Sequence, residues 1–313
     1  MPANRAPNVF AGPYIDRASG RRKDAGWLAG ALADPATRFA PVFRNQSLIG
    51  RGPEPRAVLL PRSGLPPFDD AEAILLGQFH GAPVFAVEIR EPRGADGDGE
   101  FADLRLTGGL LPPDEAGLLA YARAMLWWRH RHRFCGACGA PTAPADGGHV
   151  MACTRPGCST QFFPRIDPAI IVLVTDGERA LLGRQAAWPP GRYSTIAGFV
   201  EPGESFEDAV VREVREETSV EVVELEYQSS QPWPFPSSLM VGFVARAGAT
   251  AIACPDGELE DARWFAHDEI ASGTPALPPP QSISFRLIAE WYERQTGRRL
   301  IDEPRAALWS NPR

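Results

Sequence analysis

The chain has 313 residues, of which 44% are hydrophobic, and its formal net charge is −7 at pH 7. Such a length predicts several domains, each with a hydrophobic core of its own. The negative charge argues against a general nucleic-acid binder, because long-range steering of a polyanion would be repulsive. No apolar stretch approaches the roughly 20 residues that a membrane-spanning helix requires, so no membrane partner is expected.

Residues 1–130 are predicted to form a separate mixed α/β domain. Short apolar runs at 57–60, 73–79 and 83–89 alternate with proline and glycine, as strands do. Residues 91–100 are typical of a loop, and residues 113–130 have apolar side chains at helical spacing. This domain shows no recognisable chemistry, and we expect it to serve packing or dimer formation.

A basic run, Arg129 to Arg133, ends this predicted helix with the sequence RHRHR. Cationic side chains neutralise phosphates, so a nucleic-acid contact is one interpretation. Most such short runs are solvated surface, and we favour that interpretation. The nearby His130, His132 and His149 are likewise expected to be exposed or partly exposed.

Four cysteines predict a zinc ribbon over residues 131–164. Cys135 and Cys138 form the first pair, Cys153 and Cys158 form the second, and 14 residues separate the pairs. Two such pairs place four thiolates around one tetrahedral Zn²⁺ with no position left for chemistry, so the ion is expected to be structural. Disulfides are the competing interpretation. The start of the chain lacks the features of a secretory signal, which favours zinc and a cytoplasmic location.

Residues 165–300 alternate between strand-like and helix-like patterns. Apolar, β-rich runs occupy 168–176, 179–185, 220–228 and 238–247, and residues 192–199 lead into an acidic helix. A closing helix over 282–295 has apolar residues on one side, and residues 301–313 form a predicted tail. The pattern predicts a mixed sheet between helices.

The acidic helix is the most informative segment of the chain. Glu213, Glu216 and Glu217 stand at i, i+3 and i+4, so their carboxylates project from neighbouring positions of one helix face. Repulsion among three like charges favours bound cations, and carboxylates are ligands that Mg²⁺ prefers. The spacing therefore predicts a divalent-metal site suited to a diphosphate.

The loop before this helix has the residues of a ligand-binding turn. Gly198 and Gly203 permit close approach of backbone to ligand. Glu204 ends the loop, and Arg212 is expected to hold a carboxylate through a bidentate pair.

The two ends of the helix are also visible in the sequence. Ser205 and Asp208 have the spacing of a capping box. Phe206, Val210 and Val214 recur at i, i+4 and i+8, which predicts the side of the helix that faces the core.

Residues 230–238, SQPWPFPSS, follow a predicted strand. Their alternating prolines fix φ and remove backbone donors, so we expect a stiff extended loop outside any central strand. Trp233 and Phe235 offer surfaces for stacking on a planar ring, and Gln231 and Ser238 offer hydrogen bonds. The alternative is a proline-stiffened turn whose aromatic rings cap the core.

The acidic segment resembles the signature of the Nudix hydrolases. That signature is Gly, five residues, Glu, seven residues, Arg-Glu, an aliphatic residue, any residue, Glu-Glu, any residue, Gly and an aliphatic residue. Its fixed positions are matched by Gly198, Glu204, Arg212, Glu213, Val214, Glu216, Glu217 and Val220. Ser219 replaces the last glycine, and if the backbone there is left-handed, serine costs roughly 1 kcal/mol. The resemblance implies a Nudix α/β/α sandwich with a mixed sheet.

Residues 230–238 resemble the SQPWPFPxS array of one Nudix branch, the NADH pyrophosphatases. This resemblance implies hydrolysis of the NAD(H) diphosphate to nicotinamide mononucleotide and AMP, removal of NAD caps from RNA 5′ ends, and a homodimer. It implies Mg²⁺ or Mn²⁺ bound by Glu213, Glu216, Glu217 and Glu258. It also implies ring stacking by Phe163 and Phe199, and pocket positions at Ser238 and Ser284.

We expect Glu213, Glu216 and Glu217 to be catalytic, with the metal ions activating a water molecule. Glu216 or Glu217 is the expected general base, and the sequence does not choose between them. The alternatives are another nucleoside diphosphate such as ADP-ribose as the substrate, RNA decapping as the main role, and a non-catalytic nucleotide-binding or zinc-ribbon interaction module. The choices between NADH and NAD and between Mg²⁺ and Mn²⁺ stay open.

Overall fold

The computed structural model describes residues 6–92, 99–255 and 257–309. The predicted loop at 91–100 and the predicted tail at 301–313 therefore lie partly outside the described residues. The chain forms two compact units, unit 1 (Met1–Ile166 and Pro232–Ser238) and unit 2 (Asp167–Gln231 and Leu239–Arg313). The finer division of the chain at residues 130, 164 and 300 remains a prediction. None of the helices in the described ranges is both long and apolar enough to cross a lipid bilayer.

Unit 1 contains a mixed sheet of five strands and three helices in its described part. The strands are β1 (Arg38–Phe43), β2 (Gln46–Gly50), β3 (Ile74–Phe79), β4 (Ala82–Glu88) and β5 (Gly99–Ala102). Their order is β3-β4-β1-β2-β5, in which β1 and β4 are parallel and the other neighbours are antiparallel. The helices are α1 (Ala25–Ala33), α2 (Leu104–Thr107) and α3 (Pro113–Arg131).

The predicted strands at 73–79 and 83–89 and the predicted helix at 113–130 are confirmed by β3, β4 and α3. The strand predicted at 57–60 was wrong. Ala57 and Leu60 there make only isolated bridges, to Ile49 and Phe39. Two bridges that far apart on different strands hold the segment against the sheet without giving it a continuous ladder.

Alternation along the strands of unit 1 creates two hydrophobic cores. Ala40 and Val42 of β1 pack with buried residues of α3 such as Leu119, whereas Phe39 of the same strand packs with Ala31 of α1. One helix therefore covers each face of the sheet, and the mixed α/β prediction is confirmed.

The cysteine module adds a small antiparallel sheet made of β6 (Thr142–Ala145), β7 (Val150–Cys153) and β8 (Gln161–Phe162). His149, which precedes β7, is buried, and its Nε2 donates to the Leu75 carbonyl oxygen at 2.8 Å. Burial lowers the pKa of His149 to about 4. The prediction that His149 is exposed was therefore wrong, because the ring bonds to a strand 74 residues away. His130 is exposed and His132 partly exposed, as predicted.

Unit 2 contains a six-stranded sheet in the described part of the chain. Its strands are β9 (Asp167–Thr175), β10 (Arg179–Arg184), β11 (Ile196–Phe199), β12 (Val222–Trp233), β13 (Ser238–Ala247) and β14 (Asp261–Ala266). The order is β12-β13-β9-β10-β14, and β11 pairs with β9. All four predicted strand runs are confirmed, whereas β11 and β14 were not predicted as strands.

Helices cover both faces of this sheet. The helices are α4 (Phe206–Thr218), α5 (His267–Ser272) and α6 (Ile283–Thr296). Ile170 and Val172 of β9 share a core with Val214 of α4, whereas Leu173 of the same strand shares a second core with Leu287 of α6. The alternating residues of one central strand thus face opposite helices, which confirms the predicted α/β/α sandwich.

Helix α4 begins at the predicted capping box. The Asp208 N–H donates to Ser205 Oγ at 3.1 Å, and the Ser205 N–H donates to Asp208 Oδ2 at 3.1 Å. Val210 and Val214 are fully buried as predicted, but Phe206 is 39% exposed, so its predicted place in the core was wrong. Phe206 is the first residue of the helix and precedes the turn at which α4 begins to pack on the sheet.

The C-terminal end of α4 has a left-handed backbone. Ser219 has φ 58° and ψ 11°, and its N–H donates to the Arg215 carbonyl oxygen at 2.8 Å. Glycine is the residue that adopts this conformation without a Cβ penalty. Serine is therefore strained at the position where the Nudix signature has glycine.

We expect Ser219→Gly to stabilise unit 2 by about 1 kcal/mol, because glycine removes the left-handed penalty. For a unit of this size the thermal midpoint should rise by roughly 2 to 5 °C, measured by calorimetry. Ser219→Ala is the matched control, since alanine keeps the Cβ and should give no increase. A midpoint for Ser219→Gly at or below that of the wild type would contradict the assignment.

Candidate active site

Arg212 connects the acidic residues of α4. Its Nε donates to Glu204 Oε1 at 2.5 Å and its Nη2 donates to Glu204 Oε2 at 2.9 Å, so the predicted bidentate pair is confirmed. Its Nη1 donates to Glu213 Oε1 at 2.8 Å and to Glu216 Oε2 at 3.1 Å. Its Nη2 also donates to the Phe199 carbonyl oxygen at 2.9 Å. One guanidinium therefore joins three carboxylates to the last residue of β11.

The pKa values of Glu204 and Glu213 in this network are shifted in opposite directions. The hydrogen bonds from Arg212 lower the pKa of Glu204 to about 2. Burial raises the pKa of Glu213, which is 8% exposed, and the charges of Glu216 and Glu258 raise it further, although Arg212 opposes both effects. Glu213 is thus a carboxylate whose negative charge is incompletely compensated by the protein.

Gly198 makes room for the Glu213 carboxylate. A Cβ at residue 198 would lie 1.9 Å from Cδ and 2.0 Å from Oε1 of Glu213. Such distances are impossible for real atoms, so any larger residue would displace this carboxylate. The first glycine of the signature is therefore explained by close packing of a buried acidic group rather than by a left-handed backbone.

The donor set of this site fits Mg²⁺ or Mn²⁺. Both ions prefer carboxylate oxygens, and a cation would offset the repulsion that Glu213 receives from Glu216 and Glu258. Glu213 and Glu217 are buried, whereas the Glu216 side chain is 54% exposed. In the described residues, the carboxylate oxygens of Glu213, Glu216 and Glu217 do not all lie within 4.8 Å of one another. Arg212 Nη1 bonds to both Glu213 and Glu216.

A cavity of about 740 Å³ lies along the exposed side of α4. Its lining includes Glu204, Arg212, Arg215, Glu216 and Ser219. Arg212, Glu204 and Glu216 therefore border a space large enough to admit part of a ligand, whereas Glu213 and Glu217 are not among its lining residues.

Among the described residues, the four cysteines form a group of candidate metal ligands whose sulfur atoms all lie within 4.8 Å of one another. The Cys135 and Cys158 sulfurs are 3.9 Å apart, and those of Cys138 and Cys153 are 3.5 Å apart. A disulfide requires about 2.05 Å, whereas tetrahedral Zn–S bonds of about 2.3 Å place sulfurs roughly 3.8 Å apart. The arrangement fits structural zinc, and the disulfide alternative is excluded for this structure.

The aromatic residues of the SQPWPFPSS segment lie in a core of unit 1. Phe235 is 9% exposed, and its ring centroid is 5.8 Å from that of Phe10 and 5.1 Å from that of Trp233. The guanidinium carbons of Arg105 and Arg123 each lie 5.0 Å from the Phe235 centroid. These contacts favour the alternative in which the aromatic rings cap a core over the one in which they stack on a substrate.

The same segment is not a loop throughout. Residues 230–233 belong to β12, which is an edge strand, so the prediction of an extended loop was wrong for this part. Pro232 is tolerated because an edge strand leaves one side of the backbone without a ladder partner. The Pro234 carbonyl oxygen accepts a hydrogen bond from Arg123 Nε at 2.7 Å. Sequence reasoning missed Arg123 because 111 residues separate it from this contact.

Gln231 and Ser284, both predicted to bind substrate, are buried within unit 2. Gln231 Oε1 accepts from the Ile283 N–H at 2.8 Å, and its Nε2 donates to the Gln281 carbonyl oxygen at 2.8 Å. The Ser284 hydroxyl lies 2.9 Å from the Ser194 hydroxyl and 2.8 Å from that of Thr195. These bonds fix the start of α6.

Phe163 and Phe199 are the predicted stacking residues that present open ring surface. Phe163 is 60% exposed and Phe199 is 61% exposed. Ser238 is half-buried. The two phenylalanines therefore suit contact with a planar ring better than Trp233 or Phe235 does.

Three protein-family models match the chain. A NUDIX domain matches residues 165–287, an NADH pyrophosphatase-like rudimentary NUDIX domain matches residues 36–128, and an NADH pyrophosphatase zinc ribbon domain matches residues 130–163. The match at 36–128 assigns a rudimentary NUDIX domain to the region for which the sequence predicted packing or dimer formation.

Several curated proteins are similar to this chain over most of its length. The NAD-capped RNA hydrolase NudC of Stutzerimonas stutzeri is 46% identical over 224 residues, which is 71% of this chain and 78% of that protein. NudC of Pseudomonas aeruginosa is 44% identical over 71% of this chain and 77% of that protein. The human NAD-capped RNA hydrolase NUDT12 is 41% identical over 58% of this chain and 42% of that protein.

We expect Gly198→Ala to weaken Mn²⁺ binding by roughly 10- to 100-fold, because the new methyl group displaces the Glu213 carboxylate. Titration followed by electron paramagnetic resonance of free Mn²⁺ measures the affinity. Gly30→Ala is the control, since a Cβ at residue 30 has no heavy atom within 4 Å. Equal Mn²⁺ affinity in all three proteins would show that the position of Glu213 does not matter for the metal.

We expect Cys138→Ser to reduce bound zinc from about one ion per chain to a small fraction, because a tetrahedral site loses one thiolate. The thermal midpoint should fall, since structural zinc contributes folding energy. Zinc content is measured by plasma mass spectrometry and the midpoint by circular dichroism. Cys254→Ser, outside the cluster, should keep the metal. An unchanged midpoint after verified zinc loss would contradict the structural role.

Proposed function

Because the chain belongs to the Nudix hydrolase family, in the branch of the bacterial NAD-capped RNA hydrolases, we propose that it hydrolyses the diphosphate of NAD(H) to nicotinamide mononucleotide and AMP. We further propose that it removes NAD caps from RNA 5′ ends by the same cleavage. The observation that carries the proposal is the buried Glu213 carboxylate, held between Gly198 and Arg212.

The side chains of α4 have different roles in the proposed reaction. Arg212 fixes Glu204, Glu213 and Glu216 and connects them to the end of β11 at Phe199. Arg212 is therefore a positioning residue that preorganises the acidic face before substrate arrives. Glu213, Glu216, Glu217 and Glu258 would hold Mg²⁺ or Mn²⁺, which would neutralise the charge of the diphosphate and polarise its phosphoryl oxygens.

One glutamate accepts a proton from the attacking water. Glu216 already accepts a hydrogen bond from Arg212 and is largely exposed, whereas Glu217 is 4% exposed. A buried carboxylate is better shielded from bulk water, so we assign the role of general base to Glu217. Glu258 completes the acidic set, since its charge acts on Glu213.

The planar rings of the dinucleotide require apolar surfaces. Phe163 and Phe199 supply open aromatic faces for such stacking. Ser238 remains a proposed pocket residue, whereas Gln231, Trp233, Phe235 and Ser284 are proposed to shape the surrounding framework through the buried contacts described above.

A homodimer and a cytoplasmic location remain proposals. The dimer is proposed from the resemblance of residues 230–238 to the array of the NADH pyrophosphatases. Light scattering coupled to size-exclusion chromatography measures the mass and decides between monomer and dimer.

We expect Glu217→Gln to lower kcat for NADH by roughly 10²- to 10⁴-fold, because the amide cannot accept the proton. Chromatography after incubation with NADH and Mg²⁺ should show AMP and reduced nicotinamide mononucleotide for the wild type, and far less of both products for Glu217→Gln in the same time. Glu207→Gln, an exposed change in the first turn of the same helix, should leave kcat within about twofold of the wild type.

Two outcomes would change the proposal. Undiminished hydrolysis of NADH by Glu217→Gln, with retained circular dichroism, would remove Glu217 from the mechanism. A wild type that cleaves ADP-ribose faster than NADH and NAD-capped RNA would favour the other nucleoside diphosphates considered from the sequence.

A further inference from the structure

Unit 1 contains a cavity of about 620 Å³ at the C-terminal end of α3. The titratable side chains that line it are Arg44, Glu72, Glu88, Arg90, Arg129, His130 and Arg133. Four arginines thus face two glutamates, so this place is locally positive although the whole chain has a formal net charge of −7. We call the cavity with its four arginines the basic groove.

The cations of the basic groove come from three distant parts of the sequence. Arg129 and Arg133 belong to the basic run at the end of α3, Arg44 lies in the turn between β1 and β2, and Arg90 follows β4. The helix dipole explains cations at the C-terminal end of α3. The helix dipole does not explain Arg44 and Arg90, which lie outside α3. Folding therefore brings more positive charge to this cavity than stabilisation of the C-terminal end of α3 requires.

Three of the four arginines are available to a ligand. Within the part of the chain that the structure describes, no carboxylate lies within 4.0 Å of Arg44 or Arg133. The Arg90 side chain is 92% exposed, and its contact with Glu72 Oε1 is at the 4.0 Å limit. Charges so exposed interact weakly with one another in water and are free to bind phosphates.

Arg129 has a different role because it is fixed to the protein. It donates to the carbonyl oxygens of Ala71 and Glu72, and burial lowers its pKa. The charges of Glu72 and Glu88 raise the pKa of Arg129, and the smaller effect of the Arg133 charge lowers it. Arg129 is therefore a cation held by the protein itself, and the exposed Arg44, Arg90 and Arg133 are the groove cations that an anion would contact.

The groove also offers an aromatic surface. Phe43 lines it, and the Arg44 guanidinium lies 5.0 Å from the Phe43 ring centroid. Single-stranded nucleic acids bind where cations follow the phosphates and aromatic or guanidinium planes contact the bases. A small free anion would use the cations but not the ring.

We propose that the basic groove binds the phosphate backbone of the RNA chain that follows the NAD cap. This inference rests on the proposed removal of NAD caps. It assigns to unit 1 a function in substrate selection: NADH has no RNA chain and gains nothing from the groove, whereas capped RNA gains affinity from it. The arginines of the groove are specificity-determining residues and take no part in the cleavage itself.

The test compares two double variants of equal charge change. Arg44→Glu with Arg133→Glu reverses two exposed groove cations, and Arg51→Glu with Arg131→Glu reverses two exposed cations that do not line the groove. We measure kcat/KM for NADH and for an NAD-capped single-stranded RNA of about 20 nucleotides at low salt. In parallel, fluorescence anisotropy measures binding of the same RNA without a cap across a salt series.

We expect the groove variant to lose at least about tenfold in kcat/KM for capped RNA and to bind uncapped RNA with a salt slope smaller by one or more phosphate contacts, each worth about 0.7 in a log–log plot. Its kcat/KM for NADH should match that of the wild type. The control variant should retain at least about half of the wild-type value for both substrates, because its cations lie outside the groove.

Three results would overturn the inference. They are equal losses in the two double variants, which would indicate only long-range charge, an unchanged kcat/KM for capped RNA in the groove variant, and no hydrolysis of capped RNA by a wild type that cleaves NADH. Failure of the proposed function would give a different result. If the wild type cleaves neither substrate, the anisotropy series still measures whether the groove binds RNA.

Discussion

The guanidinium of Arg212 is the contact on which the candidate active site depends. It donates to three carboxylates and to the backbone carbonyl of Phe199, so one side chain fixes the distance between the end of β11 and α4. A planar group with five donors in a fixed geometry is suited to this role, whereas a lysine would supply a single point of charge. The signature Arg-Glu is therefore a structural unit as much as a chemical one.

At the same site, the burial of the Glu213 carboxylate depends on the glycine at residue 198. Glu213 is held in a space that exists only because residue 198 has no side chain, and its buried charge is not fully compensated by Arg212. A protein that keeps an acidic group under these conditions loses some stability at that place. Binding of a divalent cation offsets this cost, which connects the local strain of the fold to the chemistry that the site performs.

Units 1 and 2 show how one architecture serves two purposes. Each has a sheet whose alternating residues pack against helices on both faces. In unit 2, the helix that follows the glycine loop carries the glutamates, whereas α3 in unit 1 ends in arginines and histidines. The match of residues 36–128 to a rudimentary NUDIX domain accords with a fold that is kept while its acidic face is absent.

Local spacing determined much of this protein directly. The capping box of α4, the pair of Arg212 and Glu204, the cysteine cluster and the central strands were all readable, because each depends on residues close in sequence or on a fixed period. Tertiary structure decided the rest. It placed Phe235 in a core with Phe10, buried His149 against β3, and gathered Arg44, Arg90 and Arg133 around one groove. These outcomes join residues tens to hundreds of positions apart, and burial depends on which surfaces meet when the chain folds, which no local pattern of residue types contains.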